Sequence, residues 1–353
     1  MYKNGVRAMA WIVKIDHVEK HPNADILDIC TVGGWKCITK LGEYKSGDLA
    51  IYASIDSFIP NTVAPFLTKD GHYPKTYEGV EGERLRTVKL RGQISQGLLL
   101  QLSEEIITDS KGMNRLDLPV IEEGADMSEF LGIVKYEPPV SAQLAGVAKG
   151  NFPSRIPKTD QERIQNLKKE LKENYGQMFE IQEKLDGSSM TVYIIDGVFG
   201  VCSRNLDLKE TESNTFWQVA RKLNLEEKLR SLGANFAIQG ELIGEGIQKN
   251  RYEIKGQDFF VFDMYNIDTG NYLLPFDRRS LCVKLDLKQC PLYMSDAGIF
   301  DDPIATMEIL LKEAEGPSIL NPKTEREGFV FKSNETDFTF KVISNKFLMR
   351  SEA

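Results

Sequence analysis

Short apolar runs separated by turn residues mark the first 150 residues. The segments Ala10 to Ile15, Ile26 to Val32, Trp35 to Thr39, Asp48 to Tyr52 and Gly97 to Leu102 are rich in β-branched and aromatic residues, which predicts strands. Gly33-Gly34 between two of them predicts a hairpin turn. Several short strands at this spacing point to a small barrel or sandwich. Periodicity fades from Tyr136 to Lys158, a stretch carrying Pro138, Pro139, Gly146, Gly150, Pro153 and Pro157. A domain boundary is expected there, dividing the chain into residues 1–150 and 151–353.

Beyond the boundary the period changes. Thr159 is a candidate N-cap, with Asp160 and Glu162 in a first turn, Arg163 near the start, Ile164, Leu167 and Leu171 on one helical face, and Gly176 just past the end. Phe179 to Gln182 then reads as a strand, Met190 to Ile195 as another closed by Asp196-Gly197, Asn214 to Leu232 as a helix and Phe236 to Leu242 as a strand. A strand from Asp258 to Met264, a hairpin around Asp268-Thr269-Gly270, helices near Asp277 to Lys284 and Pro303 to Glu313, and strands Gly328 to Lys332 and Phe338 to Ile343 complete the pattern. Irregular alternation with hairpins predicts an α+β sheet domain rather than a doubly wound one.

Composition narrows the setting. With 353 residues, 41% hydrophobic and 27% charged, the chain can build two domains with their own cores. Its five cysteines are odd in number and show no Cys-x-x-Cys spacing, which argues against a disulfide framework or zinc ribbon and for a reduced, cytoplasmic compartment. There is no signal-peptide pattern and no apolar run near the ~18 residues of a membrane helix, so no membrane association is expected. No obligate protein partner is evident. A net charge of −8, with neither half basic, confines any nucleic-acid surface to a local patch.

Arg84, Arg86, Lys89 and Arg91 crowd one such patch. Strand alternation would put Thr87, Lys89 and Arg91 on one face, either as a groove that tracks a nucleic-acid backbone or as a charged edge that resists aggregation. All three histidines, His17, His21 and His72, fall in the first half. His17 and His21 lie four apart, but Pro22 interrupts the helix that metal ligation at this spacing needs. Catalysis in the second half therefore cannot use histidine.

The sharpest chemistry lies at Glu183-Lys184-Leu185-Asp186-Gly187-Ser188-Ser189. A lysine at a strand end, a carboxylate two residues on and a glycine that turns the backbone can face one ligand together. Taken alone, the pattern fits a surface ion pair before a turn or a lysine nucleophile beside a metal-binding aspartate. A nucleophilic amine must be unprotonated, and free lysine titrates near ~10.4, so neighbouring cations or a metal must lower it.

Two resemblances organise these pieces. Val18 to Leu27, with the turn His21-Pro22-Asn23-Ala24-Asp25, resembles the tRNA-binding type of OB-fold. In the second half, the Lys184 segment is followed in order by Ser203-Arg204-Asn205, Gly240 to Asn250, Asp258 to Asp263, Glu327 to Lys332 and Phe340 to Phe347. This series resembles the motifs of the covalent nucleotidyltransferases, and its Gly246-Ile247-Gln248-Lys249-Asn250 element resembles that of ATP-dependent RNA ligases. Only ten residues follow Ile343, so no C-terminal OB domain is expected. The order resembles RNA ligases with an N-terminal OB-like β-barrel, here residues 1–150, and a C-terminal nucleotidyltransferase domain with an ATP-grasp-like antiparallel sheet, here residues 151–353.

The resemblance implies a ligase that seals 3′-hydroxyl and 5′-phosphate ends of nicked or paired RNA. Lys184 would attack the α-phosphate of ATP, AMP would pass to the RNA 5′-phosphate, and the 3′-hydroxyl would displace it. Asp186, Glu241 and Glu327 would hold a hydrated Mg²⁺ or Mn²⁺. Lys341 and Lys332 would face the α-phosphate, and Arg204 the ribose or the RNA end. Glu183 would accept from the adenine amino group, Phe262 would stack on the base, Gln248 would act with its loop, and Arg163 would meet the terminal phosphates. Lys89 and Arg91 are then the expected RNA contacts. Many relatives carry Lys-x-Lys where this chain has Lys341 and Ile343, so either Lys346 substitutes or one lysine suffices. A DNA ligase or capping-type guanylyltransferase is disfavoured by domain order. A non-catalytic RNA-binding protein is disfavoured by retention of Lys184, Asp186, Glu241, Glu327 and Lys341 together.

Overall fold

The computed structural model describes residues 2–3, 6–102, 121–139 and 146–351. The chain divides into two compact units, Met1–Pro139 with Met349–Ala353, and Val140–Leu348.

In the first unit, strand Leu49–Ala53 lies between Ala10–Lys14 and Leu98–Gln101, antiparallel to both. Both faces of this sheet are covered, so its strands read as continuous apolar runs rather than alternating ones. Trp11, Val13, Tyr52 and Leu99 join Trp35 and Cys37 in one cluster, and Ala10, Ile12, Ile51 and Leu100 join Ile59 and Leu131 in the other. Gly97 lets the chain pass over Tyr52, since a Cβ there would lie 2.3 Å from the ring. Leu27–Val32 pairs with His17–Lys20 and, through the Gly33-Gly34 turn, with Trp35–Lys40. A third sheet orders Val134–Lys135, Ser57–Pro60, Val80–Arg84 and Lys75–Tyr77. Among the described residues the expected barrel strands are shared among short sheets rather than one closed ladder.

Val88–Leu90 and Gln93–Ser95 form a separate hairpin turned by Arg91, at φ +45°, and Gly92. The His21 turn grips its tip. His21 Nε2 donates to the Leu90 carbonyl at 3.1 Å, its Nδ1 accepts from Asn23 N at 3.0 Å, and Asn23 Nδ2 donates to the Arg91 carbonyl at 2.9 Å. His21 is thus a buried structural ring whose Nε2 donates and whose Nδ1 accepts. Thr87 is buried, and Arg91 leaves the strand for the turn, so Thr87, Lys89 and Arg91 do not share the single face that alternation predicts. Lys89 and Arg91 are both exposed.

The second unit is built on two sheets. One orders Ala148–Asn151, Leu206–Leu208, Val198–Cys202, Ser188–Ile195, Phe236–Gly244, Gln257–Asn266 and Asn271–Tyr272. Helices Thr215–Lys222 and Leu225–Arg230 cover it, packing Phe216, Trp217, Val219, Leu225 and Leu229 on Met190, Val192, Val201 and Ile238. A single helix over Asn214 to Leu232 is not formed, because Asn224 turns left-handed at φ +51°. The other sheet orders Glu162–Arg163, Thr339–Ile343, Gly328–Ser333, Phe179–Lys184 and Leu292–Ala297 around Phe179, Phe331 and Phe340. The helix expected from Thr159 begins only at Lys168, in Lys168–Glu173, because Glu162–Arg163 pairs in parallel with Phe340 and Lys341. Ile164, Leu167 and Leu171 still share one core. This is an α+β fold. Among the described residues no helix is long and apolar enough to cross a membrane.

Candidate active site

Leu185-Asp186-Gly187 carries the chain from strand Phe179–Lys184 of one sheet to Ser188–Ile195 of the other. Gly187 N donates to Glu241 Oε1 at 3.0 Å, and a Cβ at 187 would lie 2.4 Å from the Leu242 carbonyl oxygen, so only glycine lets the loop lie this close. Lys184 therefore emerges beside Glu241, on the strand paired with Ser188–Ile195, and beside Glu327, just before the strand paired with its own. Its Nζ meets Glu327 Oε1 at 2.8 Å.

Electrostatics follow from this packing. Burial draws the Lys184 ammonium down, but Glu327, Glu241 and Asp186 outweigh it and hold its pKa above the ordinary value. Burial, opposed by Lys184 and reinforced by Glu327 and Asp186, pushes the Glu241 carboxyl up to about 8. Burial likewise raises Glu327. Asp186 is held from two sides: its N donates to the Tyr252 hydroxyl at 2.7 Å, and its Oδ2 accepts from Arg251 Nη1 at 2.8 Å. Arg251 Nη2 reaches on to the Glu325 carbonyl at 2.7 Å and Thr324 Oγ1 at 3.2 Å, and its guanidinium lies 4.7 Å from the Phe347 ring centroid.

Among the described residues no group of three or more His, Cys, Asp or Glu converges into a metal cage. The carboxylates instead form a shared negative field of hard oxygen donors around one ammonium. That fits a hydrated Mg²⁺ or Mn²⁺, which takes one or two protein carboxylates, keeps waters and accepts phosphate oxygens.

A cationic group adjoins this field. Lys341 Nζ meets Asp160 Oδ1 at 2.9 Å, and Arg204 Nη2 meets Asp160 Oδ2 at 3.4 Å. Arg163, buried, is the register partner of Lys341. Burial lowers the Lys341 pKa, and Arg163 and Lys184 add to this against Asp160. Phe262 is half-buried against Leu185, Ile243, Tyr252 and Phe260, while Phe259 joins the opposite core, as strand alternation predicts. Glu183 is buried. Its Oε2 accepts from Ile319 N at 2.6 Å, its Oε1 has no partner among the described residues, and burial raises its pKa. Gln248, Lys249 and Asn250 take φ of +42°, +57° and +45° in succession, a strained turn that brings Gln248 Nε2 to 3.5 Å from the Gly187 carbonyl.

Lys184, Asp186, Glu241, Glu327 and Gln248 thus gather at the loop 185–187, and Lys341 and Arg204 at Asp160. Lys332 is buried, paired with Asp263, and donates to the Phe262 carbonyl at 2.7 Å. Lys346 pairs with Glu315 at 3.0 Å and Ile343 is buried. Two residues of the site escape sequence reading. Periodicity puts Asp160 in a helical turn and gives Arg251 no role, because their partners lie 44 to 181 residues away. The one usable signal is that Arg251 directly follows the Gln248-Lys249-Asn250 element.

The RNA ligase profile matches residues 177–343, and an OB-fold domain profile matches residues 9–102. No curated protein sequence matches significantly. Solved structures of the Naegleria gruberi RNA ligase are similar to this chain. The form with PPi is 44% identical at a TM-score of 0.85, over 98% of this chain and 99% of that one. A glutamate-to-alanine mutant with AMP and Mn is 43% identical at 0.85, over 97% and 98%. Another such mutant with ATP and Mn is 43% identical at 0.84, over 98% and 100%. Identity of 43–44% sustained along nearly the whole length, and not the local motifs alone, makes the chain a member of the RNA ligase family.

Proposed function

We propose that the protein uses ATP to seal 3′-hydroxyl and 5′-phosphate ends of nicked or paired RNA through a lysyl-AMP intermediate. The observation that carries this is Lys184 Nζ, 2.8 Å from Glu327 and flanked by Glu241 and Asp186 at the end of a paired strand. The Naegleria ligase, solved with ATP, AMP, Mn and PPi, supplies the matching substrate, product and ion.

Glu327 Oε1 takes the proton that Lys184 must lose. Nζ then attacks the α-phosphorus, the bond to the bridging oxygen breaks, and pyrophosphate leaves. Lys341, Arg204 and Arg163 face the phosphates, which displace Asp160. Phe262 stacks on the base, and Glu183 Oε1 and Gln248 complete the nucleotide contacts. Asp186, Glu241 and Glu327 would hold Mg²⁺ or Mn²⁺, which would supply positive charge against the field that keeps Lys184 protonated and against the phosphates. A 5′-phosphate oxygen of the RNA next attacks the adduct and frees Lys184, and the 3′-hydroxyl finally attacks that 5′-phosphate and expels AMP. Residues 1–150 hold the RNA, with Lys89 and Arg91 on its backbone. A reducing cytoplasm suits the five buried, unpaired cysteines.

The test is intact-mass spectrometry after incubation with Mn²⁺ and ATP or GTP, with Lys184→Ala alongside. An adenylate-sized gain with ATP alone, absent in the variant, is expected. No adduct in protein first stripped of AMP by pyrophosphate would sink the proposal.

A further inference from the structure

Strand Gln257–Asn266 carries one residue more than its partner. Asp263 pairs with Gln239 and Val261 with Gly240, which leaves Phe262 outside the ladder as a bulge. A bulge frees one carbonyl and redirects one side chain. The freed Phe262 carbonyl accepts from Lys332 Nζ at 2.7 Å and from Arg278 Nη1 at 3.3 Å. Each cation is anchored in turn: Lys332 by Asp263, and Arg278 by Glu180 Oε1 at 2.5 Å. Lys332 and Arg278 are only 6% and 1% exposed. Both Asp263 and the Phe262 carbonyl already hold the Lys332 ammonium in place. It lies 5.8 Å from the Phe262 ring centroid, while the ring itself stays half-buried beside Leu185 and Phe260.

We propose that Lys332 is a positioning residue: with Arg278 it locks the Phe262 bulge so that the ring presents its face to the adenine of ATP, and it makes no contact with the phosphates. This rests on the second unit being an ATP site. Base and phosphate can be probed separately, because AMP carries the base and pyrophosphate does not.

Calorimetric titration of the full chain with AMP and with pyrophosphate decides the point. Lys332→Met weakens AMP about tenfold, the weight of one aromatic contact, and leaves pyrophosphate within about twofold. Lys332→Arg restores most of the AMP affinity, since a guanidinium can serve both Asp263 and the Phe262 carbonyl. In a Phe262→Leu background, Lys332→Met costs AMP nothing further, as coupled residues require. Weakened pyrophosphate with AMP retained overturns the inference, as does an additive loss in the double variant. Should Lys332→Met fail to fold, Asp263→Asn slackens the same ammonium: AMP weakens and pyrophosphate does not, and unchanged AMP affinity overturns the inference. Failure of the underlying site is distinguishable, because the wild-type chain would then bind neither probe and form no adduct.

Discussion

Arg251 ties two carboxylate-bearing segments with one guanidinium, joining Asp186 Oδ2 to the backbone at Glu325, two residues before Glu327. Charge-assisted bonds of this kind contribute roughly 1.5–3 kcal/mol. Arg251→Met should therefore slow adduct formation about ten- to a hundredfold in a single-turnover assay, and Arg251→Lys should recover part of it. A rate within about twofold of wild type would show that Asp186 is held by Tyr252 alone. Glu241 sets a pH dependence at the same site. It faces Lys184, Glu327, Asp186 and the Gly187 N–H, and its carboxyl stands at about 8 against an ordinary 4.5. A raised carboxyl gives stability that is full below its unfolded pKa and is lost as pH rises through the folded one. Chelated protein should thus melt lower at pH 9 than at pH 6, and Glu241→Gln should flatten that slope in differential scanning calorimetry.

At the level of elements, the buried Glu180 joins strand Phe179–Lys184 to helix Pro275–Lys284 through Arg278 and Arg279. Removing one partner of a buried pair leaves the other uncompensated, so Glu180→Gln should cost about 3–5 kcal/mol in urea unfolding. Glu180→Leu with Arg278→Met should cost less, and a larger loss in the double variant would contradict the pairing. Most elements are legible because the period-two pattern and turn pairs such as Asp196-Gly197 are local signals. The Lys184, Glu241 and Glu327 cluster is legible for a different reason, the order of its segments along the chain. What escapes depends on distant pairing. Glu162–Arg163 is a strand only because Phe340 and Lys341 lie beside it, and the Phe262 bulge adds a single residue to an otherwise regular strand. Asp160 enters the site through Lys341 and Arg204, which no local window contains.

For the whole molecule, the division of labour is set by where the groups lie. Lys184, Asp186, Glu241, Glu327, Lys341 and Arg204 all belong to Val140–Leu348, whose sheets have cores of their own. On the proposed mechanism, adduct formation needs these groups, ATP and Mg²⁺ or Mn²⁺, whereas sealing also requires that RNA be held. Deleting residues 1–139 should keep the rate of lysyl-AMP formation within about tenfold, yet reduce sealing of nicked RNA far more. The full chain should show the same separation in salt. Sealing under limiting RNA should fall steeply with ionic strength while adduct formation changes little, and Lys89→Ala or Arg91→Ala should each lower the salt slope of RNA binding by about one. If the deletion abolished the adduct but spared sealing of pre-adenylylated RNA, the first unit would serve nucleotide chemistry and not RNA. If neither substitution moved the slope, the hairpin charges would be solvating an edge, and the RNA path would have to lie elsewhere on that unit.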